Sequence, residues 1–139
     1  MAIPVGRFEG EVVTRWDDDG RTMHLLHPLR YIDSKNKSWD VPVDAVTDGA
    51  SIPKPFWSLV GGPYSGRYRK AAVVHDHFCM TRTESWEATH QMFHEAMLAA
   101  EVSEELALIL YQAVLLHGPR WDEQGRNLKV PEFEPWEEW

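Results

Sequence analysis

From residue 69 onwards the chain carries three consecutive helical patterns with no strand between them, and this order constrains the fold more than any other feature. Strands that precede a run of helices, rather than alternating with them, give an α+β domain instead of a parallel α/β sheet. The first helical pattern covers residues 69–80. Thr83 or Glu84 opens the second, where acidic residues in the first turn suit the helix dipole. Its apolar stripe is Trp86, Phe93, Met97 and Ala100. Ser103 is a good N-cap for the third, with Glu104 and Glu105 behind it. That helix runs to about Leu116 and stops at Gly118-Pro119. It is apolar nearly all round, which predicts that it is the buried one.

The first half reads as strands and turns. Residues 8–16 are β-rich, and Asp17-Asp18-Asp19-Gly20 follows as a tight turn, because Asp and Gly accept positive φ. Residues 23–32 form a second strand pattern, residues 33–38 a polar turn, and residues 39–43 a third strand with Val inward and Asp40 outward. Pro42 has no N–H to give to a ladder, so this strand sits at an edge or ends early. The pattern predicts a small antiparallel β-sheet followed by a three-helix cluster. A long Pro- and Gly-rich connection, residues 47–66, joins the two, and loops of that length in compact domains are often functional.

The 139 residues fit one domain, read here as 1–121, followed by an acidic, Trp-containing tail, 122–139, packed along the surface. Seven Trp, four Tyr and five Phe support a compact core rather than disorder. The net charge of −8 leaves no basic footprint for a phosphate backbone, so nucleic acid is not an expected partner. Cys79 is the single cysteine and cannot form an internal disulfide. No apolar stretch is long enough to insert in a membrane, and no signal-peptide pattern opens the sequence. The expected location is the cytoplasm, or the inside of a particle.

Three clusters could carry chemistry. Asp48-Gly49-Ala50-Ser51 presents a carboxylate and a hydroxyl together, or forms an ordinary turn in which Asp48 bonds nearby backbone N–H groups. His75-Asp76-His77 lies on the first helix. His75 follows Ala71, Ala72 and Val74 and points inward, while Asp76 could bind a cation or a buried partner. His90 and His94 are one turn apart on the second helix, a spacing that lets two imidazoles meet one metal. The Glu of a zinc-protease helix is absent between them. Cys79, one turn after His75, is a soft ligand, a nucleophile or simply a small buried hydrophobe. A short turn at residues 81–83 would make the first two helices antiparallel. His75 and His90 would then meet across their interface, with the Asp48 loop above them.

The string Val41-Pro42-Val43, Thr47-Asp48-Gly49-Ala50-Ser51-Ile52-Pro53, Trp57, Gly66-Arg67-Tyr68 and Ala71-Ala72-Val73-Val74-His75-Asp76 resembles the family called domain of unknown function 1353. The likeness covers roughly residues 8–118 and includes the second helix from Ala88 to Met97. It implies a protein associated with phages and prophages, of uncharacterised role. The family usually carries an Asp where this chain has His90. If that position holds a metal, His can substitute. If it orients a base by its negative charge, His90 cannot. His75-Asp76, followed by an aromatic and Cys79, also looks like the helix of secreted phospholipases A2, where the His is the base and the Asp binds calcium. The glycine-rich Gly61-Gly62-Pro63-Tyr64-Ser65-Gly66 stretch lies upstream in comparable order. The disulfides of those enzymes are missing here.

Two functions from different classes follow. One is a metal-dependent hydrolase with His75, Asp76, Asp48 and Ser51 as catalytic residues and His75, Asp76, His90 and His94 as metal ligands. A divalent cation, Zn or Ca, would lower the pKa of a bound water, and a His or carboxylate would take its proton. The other is a non-catalytic tail or head accessory protein of a virion, partnered by other virion proteins, in which the same residues knot the loop onto the helices. A phage protein acting on host defences or regulation is a third reading.

Overall fold

The computed structural model describes residues 3–20, 22–47, 56 and 67–130. Six short strands come first: β1 (Arg7–Glu9), β2 (Thr14–Trp16), β3 (Met23–Leu25), β4 (Leu29–Ile32), β5 (Ser38–Val41) and β6 (Val46–Thr47). Three helices follow: α1 (Arg69–Thr81), α2 (Trp86–Ala99) and α3 (Glu104–His117). The α+β order read from the sequence is the order observed. The strands form two antiparallel three-stranded sheets, β1-β4-β5 and β2-β3-β6, where one sheet was expected.

The split has a local cause. Residues 8–16 and 23–32 are two long runs that pair with one another, Glu9 with Arg30 and Thr14 with Leu25, and both bend between those pairs. At the bend Gly10 has φ +95°, and a Cβ there would stand 2.8 Å from the Pro28 carbonyl oxygen. Only glycine tolerates both conditions. Pro28 opposite it has no N–H for a ladder. One antiparallel ribbon therefore turns a corner and feeds two sheets. The third predicted strand ends at Val41, just before Pro42, and β5 is an edge.

The core lies between the sheets and α1. Leu25, Leu29, Tyr31, Trp39 and Val41 meet Ala71, Ala72, Val73, Val74 and Phe78, and α2 adds Met92, Phe93, Ala96 and Met97. Helix α1 packs on β4, β5 and β6 and also on α2, and α2 lies between α1 and α3. The expectation that the third helix is the buried one is overturned. Helix α3 buries Ala107, Leu110, Ala113 and Val114, while Leu108 and Leu116 are 46% and 53% exposed. The buried helix is α1, with eight enclosed residues. Among the described residues α3 packs mainly on α2, and apolar content does not enclose a helix approached from one side; small side chains that let sheet and helix approach α1 from two sides do.

Ser85 rather than Thr83 or Glu84 caps α2, accepting from the Ala88 N–H at 3.1 Å. Ser103 caps α3 as expected. After α3, residues 121–127 make a tight turn closed by a bridge between Trp121 and Asn127. Arg82 ties this turn to the α1–α2 junction: it donates to the Gly125 carbonyl at 2.8 Å and to Asn127 Oδ1 at 2.6 Å, and its guanidinium lies over the Trp121 ring. The rest of the expected tail, from 131 on, lies outside the described residues. Among the described residues no helix is long and apolar enough to cross a membrane.

Candidate functional site: a buried histidine pair with a thiol

The antiparallel arrangement of α1 and α2 brings His75 and His90 together. His75 Nε2 lies 2.8 Å from His90 Nδ1, and both residues are 0% exposed. The His75 ring stacks on Phe93, with centroids 4.3 Å apart and planes inclined by 19°. Trp86 and Trp121 flank the His90 ring. Cys79, one helical turn after His75 and therefore on the same face, places Sγ 3.5 Å from His75 Nε2.

On the far side, His90 Nε2 is 2.9 Å from the Pro119 carbonyl oxygen. A carbonyl only accepts, so His90 Nε2 carries a proton, and in the neutral ring Nδ1 is then an acceptor. The proton between the two rings therefore sits on His75 Nε2. The result is a directed chain, His75 to His90 to the Pro119 carbonyl. Burial holds His75 well below the ordinary histidine range, and the neighbouring His90 adds to the effect. Burial likewise pushes His90 down to about 4, against the pull of the Pro119 carbonyl. Both rings are neutral near pH 7. Burial pushes the Cys79 thiol up, and the nearby Asp76 charge pushes it further, with Arg82 partly offsetting both.

Asp76 is buried but belongs to a different contact. Its Oδ2 accepts from the Thr47 hydroxyl at 2.5 Å, which fastens α1 to the end of β6. His94 does not join the pair. It stacks flat on Tyr111 of α3, with centroids 4.7 Å apart and planes 3° apart. Asp48 and Ser51 lie outside the described residues.

Of the donor groups among the described residues, His75, Cys79 and His90 offer atoms that all lie within 4.8 Å of one another. Two of these three stood in the metal set read from the sequence. Cys79 stood outside that set: its i, i+4 spacing from His75 raised it as a soft ligand, beside the alternatives of a nucleophile or a small buried hydrophobe. Pro119 was missed. Its carbonyl is one of many in the sequence, and only the return of the chain after α3 brings it to His90. A nitrogen and sulfur donor set suits zinc, whereas calcium takes oxygen ligands. As a general base the pair is weak, because a neutral imidazole behind His75 does not stabilise an imidazolium as a carboxylate would.

A family profile described as "Protein of unknown function (DUF1353)" matches residues 23–114. The chain belongs to that family. It is 41% identical over 106 residues to "Uncharacterized protein y4jT" of Sinorhizobium fredii (strain NBRC 101917 / NGR234), covering 76% of this chain and 32% of that protein. It is 38% identical over 91 residues to "Uncharacterized protein y4iH" of the same strain, covering 66% of this chain and 38% of that protein. The chain thus matches about a third of the length of these curated relatives. No solved structure matches it significantly.

Proposed function

We propose that this DUF1353 chain is a non-catalytic accessory module, of the kind a phage or prophage builds into a larger assembly, in which the His75–His90 pair fixes the helical hairpin. One observation carries this reading: the two imidazoles are fully buried and bonded to each other. A group that takes protons from a substrate has to reach it. The resemblance adds support, since His90 occupies the position where the family implies an aspartate, and a neutral ring there withholds the charge a base would use. The share of the Sinorhizobium proteins that is matched also suits a module carried within longer chains.

A metal-dependent hydrolase is the second reading, favoured by the three donor atoms gathered within 4.8 Å. In it His75 and Asp76, with Asp48 and Ser51 from the connecting loop, act on an ester or amide. One experiment separates the two. Purified protein, with and without added Zn²⁺, is assayed on chromogenic esters and peptide amides beside a His75→Ala variant. The module reading expects no turnover above that variant. Turnover that His75→Ala abolishes while the far-ultraviolet circular dichroism holds would sink it.

A further inference from the structure

Three side chains with metal-binding atoms meet at the α1–α2 interface, and each is enclosed by the fold. His75 and Cys79 are i, i+4 on α1 and share a face, and His90 comes from α2. Their exposures are 0%, 7% and 0%. A tetrahedral zinc ion with bonds of about 2.05 Å to nitrogen and about 2.3 Å to sulfur sets its ligands apart by roughly 3.3 Å (N to N) and roughly 3.6 Å (N to S). The separation of His75 Nε2 and Cys79 Sγ is 3.5 Å, which already fits. His75 Nε2 and His90 Nδ1 are 2.8 Å apart, a hydrogen-bond distance that has to open by about half an ångström.

The structure therefore assigns His75 Nε2, His90 Nδ1 and Cys79 Sγ as a three-residue site for a zinc-class divalent ion. The proton count is simple. His75 moves its proton from Nε2 to Nδ1, which frees Nε2 as a ligand without changing the charge of the ring. Cys79 gives up its thiol proton to solvent, and a water entering with the ion takes the fourth position, so one hydrated ion enters and one proton leaves. His90 keeps Nε2–H on the Pro119 carbonyl. That contact orients a metal-bound imidazole in the way a carbonyl or carboxylate behind a histidine ligand commonly does. His94 and Asp76 stand outside this three-atom set: one is stacked on Tyr111 and the other accepts from Thr47. The site deepens the module reading, on which the ion's role as a fold clamp rests, whereas ion binding does not depend on that role.

The test uses the full chain, stripped with a chelator and refolded with Co²⁺. Three results are expected: one equivalent bound, the visible bands of a tetrahedral ion, and a near-ultraviolet thiolate-to-cobalt band, all displaced by Zn²⁺. Cys79→Ser should lose the thiolate band, His90→Gln should lower affinity by about 100-fold or more, and His94→Ala should change neither. The wild-type spectrum is decisive even if a variant fails to fold. Absence of one-to-one binding, or bands without a thiolate component, overturns the site. If the site fails while the hydrolysis panel is silent, the histidine pair still stands as a direct clamp. If the ion binds and supports turnover that Cys79→Ser removes, the site stands and the module reading falls.

Discussion

His75 Nε2 gives its proton to His90 Nδ1 across 2.8 Å, and the Pro119 carbonyl behind His90 dictates that direction. Each neutral ring has one donor and one acceptor nitrogen. Fixing the last acceptor fixes the whole row, and with it the properties of the first ring.

Replacing the second ring by a carboxylate should change the first. In a His90→Asp variant an anion faces His75, which favours the imidazolium. His75, now held well below the ordinary range, should titrate at a higher pH than in the wild type. Proton and nitrogen NMR of the ring as a function of pH reports this directly. A His75 that stays neutral to the same acid limit in both proteins would show that a carboxylate at position 90 does not act on the first ring.

The metal-free protein should lose stability in mild acid. His90 titrates at about 4 folded and near 6.5 unfolded, so the unfolded chain binds the proton more readily. The contribution is fully present above pH 6.5 and is lost as the pH falls from 6.5 through 4. A shift of that size is worth about 3 kcal/mol. His75 acts in the same direction. Urea unfolding of chelated protein at pH 7 and pH 4.5 measures the difference. Equal midpoints would mean that the rings do not need to stay neutral to be buried.

Tyr31 anchors the first sheet to α2. Its hydroxyl donates to Glu95 and accepts from the Gly6 N–H at 3.0 Å, and the Ser34 hydroxyl reaches the same carboxylate at 2.7 Å. Tyr31→Phe takes the acceptor from the Gly6 N–H and one donor from Glu95, and should cost about 1–3 kcal/mol in chemical denaturation. An unchanged midpoint would show that water replaces the hydroxyl without loss.

Helix α3 offers a paired comparison. Leu110 is fully buried and Leu108 is 46% exposed. Leu110→Ala should destabilise by about 2–5 kcal/mol, and Leu108→Gln should stay within about 0.5 kcal/mol. Comparable losses at both positions would place a further surface over the outer face of α3.

Local periodicity, capping residues and chain order were enough to place three helices after a group of strands. They also put His75 and His90 on facing helices, because a short turn forces neighbours to run antiparallel. Ser103 and Pro42 could be read for the same reason: a cap and a missing N–H act within a few residues. Tertiary structure alone decided the rest. Pairing across the chain turned one ribbon into two sheets at Gly10 and Pro28. Shape, not apolar content, enclosed α1 and left α3 outside. His94 went to Tyr111, Asp76 to Thr47 and Cys79 to the histidine pair, because a side chain's partner depends on which distant element arrives beside it. The Pro119 carbonyl, reached only when the chain folds back after α3, then set the protons.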